Sequence, residues 1–154
     1  MGPVSTDPDA QMPSFEPVAV GEYPMRLVRV SGEEKALNES QKTPGNMYTM
    51  MRVEHTTPKD QLTKMNGEPF GENETLSSVR IRFMHGKQGT LRQAFEAVGI
   101  VWPKEKLEFE SDEAFADWIQ QSLDQREVTA RLKTRNYEGN WSNDVARFVV
   151  PVAA

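Results

Sequence analysis

At 154 residues, with 37% hydrophobic and 27% charged side chains, the chain has the size and composition of one soluble globular domain with long polar loops. It has no cysteine, which excludes disulfides, thiol nucleophiles and thiolate metal sites, and no apolar run near the roughly 20 residues that cross a bilayer. The net charge of −5 argues against phosphate binding over the whole surface, but Lys104 to Glu127 alone hold eight acids and three bases, so the rest is balanced and its cations can gather locally.

Met1 to Pro17 carry four prolines and little apolar content, and read as a disordered or loosely attached arm. They lack a basic stretch followed by an apolar one, so no signal peptide is expected. The folded domain is expected over residues 18–151, with a short tail at 152–154. Gly21 to Val30 is the first strand candidate, with Tyr23, Met25 and Leu27 on one side. Pro24 cannot donate to a ladder and suits an edge or a strand start. Ser31 to Asn46 is polar and reads as a long loop carrying Lys35 and Lys42.

Met47 to Glu54 is the second strand, with Met47, Thr49, Met51 and Val53 on one face and Tyr48, Met50, Arg52 and Glu54 on the other. Thr56 to Glu74 reads as a second long loop or a loose hairpin. Leu76 to Met84 is the third strand: Val79, Ile81 and Phe83 alternate with Ser78, Arg80, Arg82 and Met84.

The period then changes to helical. Thr90 is placed to cap a helix with Leu91, Ala94, Phe95 and Val98 on its apolar side, and Gly99 is placed to end it. Ser111 or Asp112 can cap a second helix to about Leu123, with Phe115, Trp118, Ile119 and Leu123 as its stripe and an acidic opposite face. Val128 to Tyr137 returns to period two: Val128, Ala130, Leu132 and Thr134 on one face, Thr129, Arg131, Lys133, Arg135 and Tyr137 on the other. Tyr137 to Trp141 is a turn, and Asp144 to Val150 is the last strand, with Val145, Arg147 and Val149 opposite Ala146, Phe148 and Val150.

Five strands with one or two helices between the third and fourth predict a mainly β fold, laid out as a five-stranded OB-fold-like barrel. Two strands present alternating bases outward, which suits the phosphates of an unpaired nucleic-acid strand, and aromatic rings can stack on its bases. The candidate phosphate contacts are Arg80, Arg82, Arg131, Lys133 and Arg135. The candidate stacking rings are Tyr137, Trp141 and Tyr48. His55 and His85, the two histidines, have no partner at ligand spacing, and no carboxylate lies in an apolar run. No metal, no cofactor and no catalysis are expected.

The chain also resembles a family of phage proteins catalogued as a domain of unknown function, number 669. The resemblance rests on Gly21-Glu22-Tyr23 after a proline-rich start, on the helix pattern of Leu91, Phe95, Ala97 and Gly99, and on Arg135, Tyr137, Gly139, Asn143, Val145 and Pro151 in the closing hairpin. It implies a single-stranded DNA-binding protein, sequence-independent, of phage replication or recombination. It further implies action in the host bacterial cytoplasm, with recombination or replication proteins as partners and room for a homo-oligomer. The acidic insert Glu105–Glu127 is longer than the pattern calls for. The alternative is a phage-encoded protein-binding or inhibitor module that meets a host protein through the acidic helix, residues 111–123.

Overall fold

A computed structural model describes residues 3–6, 8–9 and 14–152; the rest of the arm and tail lies outside the described residues. The fold is mainly β, with eight strands and two helices. The five expected strands are β2 (Gly21–Arg29), β4 (Met47–His55), β6 (Val79–Met84), β7 (Glu127–Tyr137) and β8 (Asn140–Phe148). Three more were not foreseen: β1 (Ser14–Glu16), β3 (Leu37–Glu39) and β5 (Glu74–Leu76). Each is three residues long, too short for an alternating pattern to register.

β4 organises the main sheet. Its Met51–His55 part pairs antiparallel with β2, and its Met47–Thr49 part pairs with β3 on the same edge. Its other edge pairs with β6, matching Met50 with Arg82 and Arg52 with Arg80. β2 continues antiparallel to β7, and β7 to β8. Every step reverses direction, so the outermost strands, β6 and β8, run parallel. They lie beside each other, but no ladder joins them among the described residues. The sheet curls round without closing, leaving a seam.

The core fills the curl. Met25, Leu27, Met51, Phe83, Ala130, Leu132 and Phe148 are all buried there, as alternation requires of the inward set on each strand. Phe83 and Phe148 stack at 6.4 Å and bridge one end of the seam. Helix α1 (Gly89–Ala97) packs on that end against β6, β7 and β8. Its Gln93 side chain accepts a hydrogen bond from the Phe148 amide at 2.8 Å. Thr90 does not cap α1. The cap position is Gln88, whose side-chain amide instead donates to the His85 carbonyl at 2.9 Å. Gly99, at φ +85°, ends the helix as expected. Helix α2 (Asp112–Leu123) is capped by Ser111, whose hydroxyl accepts from the Ala114 amide at 3.1 Å, and packs on β2, β3 and β4.

Two further readings change. The arm expected over 1–17 is docked at its end: β1 pairs parallel with β5, and Val18 is buried. The strict alternation along the last strand also fails. The register shifts opposite Arg131 and Leu132, so Ala146 has no partner on β7. That bulge turns both Val145 and Phe148 toward the core, where alternation alone would put them on opposite faces. Among the described residues, no helix is long and apolar enough to cross a membrane.

Candidate functional site

The open part of the seam is a cleft of about 680 Å³. One wall is β6, giving Arg80, Ile81 and Arg82; the other is the β7–β8 hairpin, giving Lys133, Arg135 and Trp141 through Val145. Met50 of β4, Phe15 of β1 and the pair Ser77 and Ser78 just before β6 complete it. The geometry follows from the pleat. Arg80 and Arg82 share the outward face of β6, and Lys133 and Arg135 share that of β7. Curling the sheet brings these two outward faces to the lips of one seam.

Of the eight residues singled out from the sequence, Arg80, Arg82, Lys133, Arg135 and Trp141 line the cleft. Arg131, Tyr137 and Tyr48 do not. Arg131 lies on the same face of β7, further from the hairpin tip, between Glu22 on β2 and Arg147 on β8; those two flankers pair at 3.4 Å. Tyr137 stands at the hairpin tip, 63% exposed, with the Arg135 guanidinium 5.9 Å from its ring centre. Tyr48 is only 8% exposed, and the Arg82 guanidinium covers its ring at 4.9 Å. That contact fixes Arg82 over an aromatic face and leaves its fork available to an anion.

The charge in the cleft is mostly positive. Among the described residues Asp144 is its one acid, 3.6 Å from Arg135 and directly across the hairpin from Lys133. Arg80 is also held. Its Nε donates to Glu34 Oε1 at 3.0 Å, its Nη2 contacts the same oxygen, and its Nη1 donates to Ser78 Oγ at 2.9 Å. The Arg80 hydrogen bond, aided by the charges of Arg80 and Arg52, holds the Glu34 carboxyl below the usual carboxylate range despite its partial desolvation. Nothing from Lys104–Glu127, the segment that carries the acidic excess, lines the cleft.

Sequence reasoning missed Phe15, Met50 and Asn143. Phe15 is 67% exposed, although aromatic rings tend to be covered. A lone ring in a proline-rich stretch was the available signal. Asn143 is buried, and its amide acts as a strand neighbour for Val18. Its Oδ1 accepts from the Val18 amide at 2.8 Å and its Nδ2 donates to the Val18 carbonyl at 3.1 Å. This clamp fixes the segment that presents Phe15.

A second concavity, of about 560 Å³, lies at the far end of β6 and is walled by Trp102, Phe109, Phe115 and Trp118. At its side His85 Nδ1 meets Asp112 Oδ1 at 2.6 Å and His85 Nε2 meets Thr49 Oγ1 at 2.7 Å. Hydroxyl, imidazole and carboxylate in this order have the connectivity of a nucleophilic triad. Thr49 is fully buried in the sheet, however, and cannot meet a substrate. The chain of bonds therefore ties the start of α2 to β4 and to the end of β6. Among the described residues, no group of three or more acidic or histidine side chains is placed to hold a metal ion. Neither a family model nor a curated protein matches this chain.

Proposed function

We propose that the protein binds single-stranded DNA in the seam between β6 and β8, without regard to sequence and without catalysing a reaction on it. The observation that carries this reading is the gathering of Arg80, Arg82, Lys133, Arg135 and Trp141, from three strands, into one cleft. Four cations answer phosphates, and Trp141 (45% exposed) and Phe15 offer ring faces to unstacked bases. Cations and ring faces recognise what all nucleotides share, which favours sequence-independent binding. The strand order, with α1 set between the third and fourth long strands, supports an OB-fold-like arrangement in which one side of the barrel stays open. The resemblance to the phage family supports extending the proposal to a role in replication or recombination, in the host cytoplasm and beside other proteins of those processes.

Fluorescence anisotropy of a labelled oligo-dT tests the reading. Affinity falls as salt rises, by about 0.7 in the log–log slope for each phosphate neutralised on a single strand. Replacing Arg82, Lys133 and Arg135 together with Ser lowers that slope by about 2 and leaves the fold intact. Absence of binding at micromolar protein and low salt refutes the proposal. The alternative, a protein-binding module, is favoured by one observation: Glu113 and Asp117 on α2 have no basic partner among the described residues. It predicts that same absence.

A further inference from the structure

Arg52 and Arg80 sit directly opposite each other on β4 and β6. Like charges at such a pair repel at the closest cross-strand distance. The structure resolves this by laying one carboxylate between them. Glu34, from the loop joining β2 to β3, contacts Arg80 through Oε1 and Arg52 Nε through Oε2 at 3.5 Å. The other acid nearby is Glu54, 4.0 Å from Arg52 Nη1. Two forked donors converging on one anion have the form of a phosphate site, because a guanidinium reads carboxylate and phosphate oxygens in the same geometry.

The Glu34 contact is incompletely matched. Glu34 Oε2 and Arg52 Nε are both buried, yet neither makes a hydrogen bond. A tetrahedral phosphate, with more acceptor oxygens than a carboxylate, can serve both forks at once. Arg80 also lines the cleft, so this pair lies at the end of the proposed strand path. The loop backbone need not move for an exchange. It is held by the Ala36 carbonyl, which accepts from the Met50 amide at 2.7 Å, and rotation of the Glu34 side chain is enough.

Building on the single-strand reading above, we infer that Arg52 and Arg80 form a phosphate subsite at one end of the cleft, which Glu34 fills in the free protein and a DNA phosphate takes over on binding. Glu34 thereby weakens binding of a strand that reaches this end, because the incoming phosphate must displace it. Arg52, absent from the sequence-derived candidates, becomes a contact residue.

The experiment compares the wild type with Glu34→Gln, which keeps the side-chain shape and removes the charge. Oligo-dT binding is measured by anisotropy across a salt series. Glu34→Gln is expected to bind about tenfold tighter at low salt, the order of one charge-assisted hydrogen bond. Its log–log salt slope is expected to be steeper by about 0.7. Adding Arg52→Ser to Glu34→Gln removes the gain. Parallel curves of equal affinity overturn the subsite while leaving the single-strand reading in place. A second arm needs no DNA: pyrophosphate is titrated while the arginine Nε–H resonances are followed by NMR, with the amide spectrum reporting the fold. Shifts at Arg52 and Arg80 in Glu34→Gln, with no oligonucleotide binding by either protein, uphold the subsite and remove the DNA reading. No shifts and no binding overturn both.

Discussion

Asn143 offers the sharpest test of how the cleft is held together. Val18 bridges to Lys64, but the bonds of that bridge belong to its neighbours: the Ala19 amide donates to Thr63 and the Pro17 carbonyl accepts from Met65. The Val18 amide and carbonyl point the other way, and the Asn143 side chain answers both. It also reaches the Lys133 carbonyl at 3.3 Å. Asn143→Ala strips these partners from a residue that is buried away from water. A buried polar group left without a partner costs about 1–3 kcal/mol. Partial entry of water from the cleft side brings the total for Asn143→Ala to about 2–4 kcal/mol. For a chain of this length that is a fall in Tm of about 5–15 °C. Asn143→Asp should do no better, since it turns an acceptor toward two carbonyls. Urea or thermal unfolding measures the loss, and hydrogen exchange should show residues 14–19 opening first. A cost below roughly 0.5 kcal/mol, the range of an ordinary surface change, would refute the clamp.

The remaining predictions concern binding, acid stability and local backbone. Trp141→Ala and Phe15→Ala should each weaken oligo-dT binding by about 1–3 kcal/mol, whereas Tyr137→Ala, outside the cleft, should lose less; the reverse order would move the stacking site to the hairpin tip. His55 is half-buried against Tyr23, with ring centres 5.1 Å apart, and neither of its buried ring nitrogens has a hydrogen-bond partner. Desolvation lowers its pKa, so the unfolded chain takes up a proton first as pH falls. The folded state should therefore lose stability on acidification through the unfolded value of about 6.5, and the loss should level off below the lowered folded value. His55→Gln should flatten that part of the pH profile of the urea midpoint; identical profiles would show that burial at this site is not what sets it. Gln125, at φ +65°, follows the end of α2. Gln125→Gly should stabilise by up to about 1 kcal/mol by relieving left-handed strain, read as a rise in Tm.

The local patterns of the sequence determined the elements themselves. Period two placed Leu27, Met51, Phe83, Ala130 and Leu132 inside, and period 3.6 with a Ser cap placed α2, because each signal depends only on neighbours along the chain. They also determined that Arg80, Arg82, Lys133 and Arg135 face outward. What they could not determine is which outward faces meet. That depends on β6 and β8 closing to within reach without pairing, a consequence of how the whole sheet coils. The same coil separates Arg131 from Lys133, its neighbour two residues along the same face. The bulge at Ala146 was equally hidden, since an unpaired residue leaves no mark on a strand's own composition. Phe15 and Asn143 gain their roles from contacts across 125 residues of chain between Val18 and Asn143. Glu34 gains its role from a loop that crosses to Arg80, 46 positions away. Contacts at such separations are fixed by packing and topology, and only the folded chain holds that information.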